Sequence, residues 1–138
     1  MIIDATNLIL GRMATYAAKT ALLGEEVIIV HAEKAYVSGD RRKVLTEYMR
    51  RKRQGTWAKG PFIHRSPDRF VRRTIRGMLP YKQPKGREAF KRIMCYIGLP
   101  EEFKDKELVS FKHCQVSKLP SNKYLSVLEI CRHLGGKV

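Results

Sequence analysis

Three kinds of residue or pattern are scarce in these 138 amino acids, and each scarcity excludes a class of protein. Cysteine occurs only at Cys95, Cys114 and Cys131, an odd number with wide spacing. That is no disulfide framework, and each thiol sits among apolar neighbours. All three are expected to be reduced core residues of a cytoplasmic protein. No run of about 18 apolar residues exists, so no membrane-spanning helix is predicted. The opening Met1-Ile2-Ile3-Asp4 lacks a basic patch followed by a long apolar stretch, and no secretory leader is expected.

Patterns that carry chemistry are also missing. Neither G-x-G-x-x-G nor G-x-x-x-x-G-K-[ST] is present, and Gly11, alone after the first strand, is expected to serve close backbone approach. His113-Cys114 and Cys131-x-His133 have no metal-site spacing. A triad could be drawn only from Ser66, His64 and Asp68, and Ser66 and Asp68 are better explained as helix-start residues. Glu25-Glu26 and Glu101-Glu102 read as solvated ends of elements. The expectation is a protein that is not an enzyme, with no cofactor, no metal and no small-molecule substrate.

Acids are the third shortage. Thirteen Asp and Glu stand against 28 Lys and Arg, a formal net charge of +15. The excess is concentrated rather than spread. Residues 41–92 hold Arg41, Arg42, Lys43, Arg50, Arg51, Lys52, Arg53, Lys59, Arg65, Arg69, Arg72, Arg73, Arg76, Lys82, Lys85, Arg87, Lys91 and Arg92. Against these 18 cations the segment has only Glu47, Asp68 and Glu88, so 18 − 3 gives +15. The remaining residues carry 10 bases and 10 acids and net zero. Such a field calls for a polyanion. Arginine predominates in it, and the guanidinium fork suits phosphate and stacks on bases.

What is plentiful describes a folded domain. The chain has the length of one domain, residues 1–138, and 43% apolar residues is enough for a core. Met1 to about Thr6 reads as extended. A helix is predicted over about Leu10–Leu23, with Met13, Ala17 and Ala21 along one face, Thr6 or Asn7 as its cap and Gly24 at its end. The run Val27-Ile28-Ile29-Val30 predicts a strand buried on both faces, as in a parallel sheet. Strand, helix and strand in so short a stretch make a right-handed βαβ unit.

A basic helix is predicted over Arg41 to about Arg53, with Val44, Leu45, Tyr48 and Met49 as a narrow apolar stripe. Gln54 to Arg65 reads as loop. Ser66-Pro67-Asp68 starts a further helix on which Val71, Ile75, Met78 and Leu79 share one arc. Arg69, Arg72, Arg73 and Arg76 fall opposite them, at i, i+3, i+4 and i+7. Replacing those four with Gln is expected to leave the fold intact or slightly more stable and to impair polyanion binding. After a basic loop over Tyr81–Gly86, a short helix is expected from Arg87 to about Arg92, then a buried strand over Ile93–Ile97. Glu101–Glu107 reads as a surface turn or short helix and Val109–Val116 as extended. A last helix, capped by Ser121 or Asn122, should run to about Leu134. With Lys59, Phe62 and His64 near it, Trp57 either stacks on unpaired bases, or it or Phe62 anchors the loop to the core.

Several of these stretches carry a resemblance. Arg76-Gly77-Met78-Leu79-Pro80, Lys85-Gly86-Arg87, Phe90 and Met94-Cys95-Tyr96-Ile97-Gly98 resemble the large-subunit ribosomal protein family L-thirteen. The opening Asp4-Ala5-Thr6, Leu10-Gly11-Arg12-Met13-Ala14 and the strand ending His31-Ala32-Glu33-Lys34 are similar too. The resemblance covers about residues 1–98. The direct run from the first helix into Val27–Val30 and the basic helix and loop at 41–65 are similar to the archaeal and eukaryotic branch, and the short C-terminus to archaeal members.

The resemblance implies a three-layer α/β/α single domain with a small, mainly parallel sheet, and no catalytic activity. It implies a structural constituent of the cytoplasmic ribosome that binds large-subunit rRNA early in assembly, beside neighbouring ribosomal proteins and away from membranes. The expected contacts are Arg69, Arg72, Arg73 and Arg76 on one helix, then Lys82, Lys85, Arg87, Lys91 and Arg92 beyond it. Arg50, Arg51 and Arg53 with the Trp57 loop would reach a second RNA element, and Arg41, Arg42, Lys43, Lys59 and Arg65 complete the face. Two rivals are a DNA-binding nucleoid protein and a small Rossmann-like nucleotide-using enzyme.

Overall fold

The computed structural model describes all 138 residues. Ile2–Asp4 forms β1, Leu10–Leu22 forms α1 and Val27–Val30 forms β2. β1 and β2 pair in parallel, with Ile3 beside Ile29. This is the βαβ unit the sequence predicts. On α1 the buried residues are Leu10, Met13, Ala14, Ala17, Ala18 and Ala21. Four of these are alanines, whose small side chains let neighbouring helices approach closely.

The expected cap of α1 is not used. Thr6 instead donates its N–H and hydroxyl to the Asp4 carboxylate, at 2.9 and 2.7 Å. Asn7 turns the chain with a φ of 58°, and α1 begins after Ile9 without a side-chain cap. α1 starts only at Leu10, too far along the chain for the Thr6 hydroxyl to accept from its first N–H groups. Gly11 also departs from expectation. It is exposed, and open space lies where its side chain would point.

After β3 (Tyr36–Ser38) come α2 (Arg41–Arg53), α3 (Pro67–Gly77) and α4 (Pro84–Lys91). Pro67 and Pro84 both occupy a first helical turn, where the missing N–H costs nothing. α4 therefore starts before Arg87, inside the stretch expected to be loop. β4 (Ile93–Cys95) then pairs in parallel with β2, giving a three-stranded sheet in the order β1-β2-β4. The protein is a single-domain α/β fold with a small parallel sheet, as expected.

Ile3, Ile29 and Cys95 sit in one cross-strand row, with Val27 and Ile93 on the same face, and all five are buried. The opposite row is Ile2, Ile28 and Met94; the first two are half-buried and Met94 is 41% exposed. The apolar run at 27–30 thus overstates burial of the second face. β4 ends before Ile97 because the chain turns to bind elsewhere. The Tyr96 and Gly98 carbonyls accept from Ala32 and His31 N–H at 3.1 and 2.9 Å, and Gly98 N–H donates to the Glu33 carboxylate at 3.0 Å.

A second, two-stranded sheet pairs β3 antiparallel with β5 (Tyr124–Ser126), which leads straight into α5 (Val127–His133). The last helix is capped by Ser126, whose hydroxyl accepts from Glu129 N–H at 3.2 Å, rather than by Ser121 or Asn122. Of 109–116, only the ends pair like strand: Val109 bridges Ile3, and Gln115 bridges Leu8. Lys112–Cys114 between them is a short 3-10 turn. A core of 26 apolar residues joins all these layers, and no polar or charged residue is fully buried. Burial pushes the Cys95 and Cys131 thiols up to about 12, as suits inert core cysteines.

Candidate nucleic-acid interface

α2 lies on the body by a narrow stripe. Val44, Leu45, Tyr48 and Met49 pack against the core, yet no residue of the helix is fully buried. Its cations are handled in two ways. Arg41 donates to Glu129 on α5 at 2.6 Å, and the Lys52 ammonium donates to the Leu134 carbonyl at 2.9 Å. Arg50 and Arg51 both donate to Glu47 at 2.8 Å, and Arg50 then Arg51 hold that carboxyl down to about 2. Arg42, Lys43 and Arg53 are exposed without a carboxylate partner. Arg41, Arg42, Arg50 and Arg53 line an open concavity of about 1100 Å³.

On α3 the apolar arc is Phe70, Val71 and Ile75, continued by Leu79; Met78, expected there, is 42% exposed. The arginine side divides. Arg69 and Arg73 are exposed, and Arg73 donates to the Phe62 carbonyl at 2.9 Å. Arg72 lies over the Phe90 ring at 4.5 Å and donates to the Phe90 carbonyl at 3.4 Å. Arg76 lies over the Tyr81 ring at 5.0 Å. Cation–π stacking thus holds two of the four half-buried, and the other two stay exposed.

α2 and α3 meet across a groove of about 590 Å³, lined among others by Arg50, Arg51 and Arg73 with Tyr48, Phe70 and His64. Burial first, then Arg73, Arg69 and Arg76, push the His64 imidazole below its ordinary value. The groove is therefore cationic without needing a protonated histidine. Sequence reading placed these arginines on two separate helices; helix packing brings them to one surface.

Beyond α3, Lys82, Lys85, Arg87 and Lys91 are exposed. Arg87 donates to the Lys82 carbonyl at 3.3 Å. Arg92 is half-buried, donating to the Ala21 carbonyl at 3.3 Å with Glu88 at 4.0 Å. The loop joining α2 to α3 carries Trp57, Lys59 and Arg65, all exposed, and Trp57 packs against no part of the core. Anchoring of the loop by Trp57 is thereby set aside. Lys19 was missed by sequence reading. It comes from the neutral half on α1, yet it shares a groove of about 550 Å³ with Lys85, and only the packing of α1 on α4 reveals it.

Of the 18 cations in 41–92, only Arg41, Arg50, Arg51 and Arg92 have a carboxylate within ion-pair distance, leaving 14 with none. No three His, Cys, Asp or Glu side chains gather as a metal site would require. The family model described as Ribosomal protein L13 matches residues 1–102. The chain belongs to the ribosomal protein L13 family. A large ribosomal subunit protein uL13 of Methanococcoides burtonii is 45% identical over 136 residues, spanning 99% of this chain and 98% of that one. Those of Methanosarcina barkeri and Methanocaldococcus jannaschii are 44% and 42% identical, each spanning 99% of this chain and 98% of theirs.

These similar proteins are archaeal, and their similarity runs through the C-terminal residues that the L13 motifs do not reach. The relatives it matches are structural ribosomal proteins, not enzymes. The family motifs have physical reasons in the fold. Glu33 receives the Gly98 N–H and so ties the end of β2 to the end of β4. Gly86 lets α4 cross the backbone at Pro80.

Proposed function

We propose that this chain is a structural constituent of the large ribosomal subunit, in the cytoplasm, that binds and organises large-subunit rRNA. The 14 unpaired cations of 41–92 carry this reading. An array of like charges without internal partners is self-repelling until a polyanion covers it. Arg50, Arg51 and Arg73 grip backbone phosphates in the groove between α2 and α3, flanked by Arg42, Lys43 and Arg53 on α2 and by Arg69 on α3. Lys82, Lys85, Arg87, Lys91 and the outer edges of Arg72, Arg76 and Arg92 continue that track over α4. Arg41 joins by exchanging Glu129 for phosphate, and Lys59 and Arg65 extend it along the loop.

Bridging RNA segments in this way favours one rRNA fold over its alternatives, a contribution made early in subunit assembly and beside neighbouring large-subunit proteins. Selectivity comes mainly from RNA shape, since phosphate contacts position rather than specify. The name of the similar archaeal proteins supports the same reading.

The test is binding of the full chain to large-subunit rRNA fragments at increasing salt, with duplex DNA of equal charge as competitor. With about six to ten phosphates neutralised, affinity should fall roughly 10³- to 10⁵-fold between about 50 and 200 mM salt. The folded RNA should also win the competition. Preference for the duplex would favour a DNA-binding protein instead, and a salt-independent affinity would overturn the electrostatic mechanism.

A further inference from the structure

We propose that Trp57 is a stacking platform for one unpaired RNA base, presented on a stiff loop whose flanking cations hold the adjoining phosphates. This rests on the RNA-binding reading above and names a partner that phosphate contacts alone do not. Trp57 is the only tryptophan of the chain and is 93% exposed. Folding normally removes so large an apolar ring from water, so its exposure on an ordered loop calls for an external partner.

The loop leaves the indole no way back to the core. Gly60 N–H donates to the Thr56 carbonyl at 2.9 Å, and Lys59 N–H donates to the Thr56 hydroxyl at 3.2 Å, closing a tight tip around Trp57. Gly55 has a φ of 77°, and a side chain there would run into the Gly60 carbonyl. The hydrogen bond from Arg73 to the Phe62 carbonyl pins the loop exit to α3. A ring held in place before binding loses little freedom when a base settles on it.

The surroundings select nucleic acid over protein. Beside the indole is a groove of about 420 Å³, lined among others by Lys52, Arg53, Phe62 and Arg65. That volume falls within the roughly 300–1,000 Å³ of small-molecule sites. No acid occurs between Glu47 and Asp68. A protein hot spot would ring its tryptophan with apolar neighbours alone, whereas here Phe62 and Ile63 share the groove with the three cations Lys52, Arg53 and Arg65. A nucleotide offers what this site lacks: a π face and, beside it, negative charge. Paired bases in an A-form helix are already stacked, so the partner is an unpaired one.

A lone tryptophan makes its own reporter. Titrating the full chain with a single-stranded oligoadenylate should quench Trp57 emission, and a blunt RNA duplex of equal charge should bind without quenching it. Trp57→Ala should weaken oligoadenylate binding about 5- to 150-fold, the range for loss of one base–aromatic stack. It should leave the salt dependence unchanged, because no phosphate contact is lost. Trp57→Phe, which keeps a ring, should recover most of that affinity. An exposed side chain makes both variants foldable, and an unchanged Tm checks this. If the single strand binds with Trp57 emission unaltered and Trp57→Ala costs less than about twofold, stacking is overturned and the ring belongs to a protein neighbour. If neither RNA binds, the RNA reading itself fails.

Discussion

Single residues in this protein are judged by what their atoms would meet. A side chain added at Gly86 would collide with backbone atoms of Pro80 and Tyr81, which cannot swing aside. Gly86→Ala is therefore expected to cost roughly 1–3 kcal/mol, read as a lower urea midpoint at unchanged slope. Gly11 is the converse, a helical glycine facing open space. Gly11→Ala should stabilise the fold by about 0.5–1 kcal/mol. Glu47 tests the electrostatics. Arg50 and Arg51 depress its carboxyl from an ordinary 4.5 to about 2. Its ion pairs thus favour the folded chain above the ordinary carboxylate value, and that contribution disappears as pH falls through about 2. An NMR titration of the Glu47 carboxyl should show its midpoint there, and replacing both arginines with Gln should return it toward 4.5.

At the scale of an element, α3 does two jobs with one kind of side chain. Arg69 and Arg73 stand exposed, whereas Arg72 and Arg76 are half-buried over Phe90 and Tyr81. Replacing all four with Gln should therefore lower stability, where the helical arc alone predicts no loss. Arg72→Gln should cost about 0.5–2 kcal/mol through its lost stacking, and Arg69→Gln should stay within about 0.5 kcal/mol of the parent. Both should weaken rRNA binding. Thermal melts beside binding curves separate the two roles, and equal melting losses for both variants would contradict the division.

The whole molecule carries a net charge that its few internal ion pairs leave standing. The acidic and basic residues outside 41–92 balance, so nothing offsets the +15 of that segment. Salt should then act with opposite signs on the free and bound protein. Raising it from about 0.05 to 0.5 M shortens the Debye length severalfold and should raise the Tm of the free chain by screening self-repulsion. The same change should dissociate the RNA complex. A free chain whose Tm falls or stays level over that range would show that the cations are already relieved within the fold.

Local pattern determined a good part of this protein. The βαβ unit is legible because each of its elements is signalled within a few turns of chain: an Ala-rich helical face, a β-branched run and a glycine between them. The basic segment is legible because charge adds up regardless of folding. Contacts between residues far apart in the chain decided the rest. β5 is three residues long and exists through its pairing with β3, so no local signal announces it, and the cap of α5 moves with it. Periodicity put Arg72 and Arg76 with Arg69 and Arg73, and only the arrival of Phe90 and Tyr81 beside α3 sets them apart. Whether Trp57 turns inward or outward depended on backbone closure at Gly55 and Gly60, and the groove uniting Arg50 and Arg51 with Arg73 on how α2 lies against α3. Side-chain type is a property of the chain; which side chains share a surface is a property of the packing.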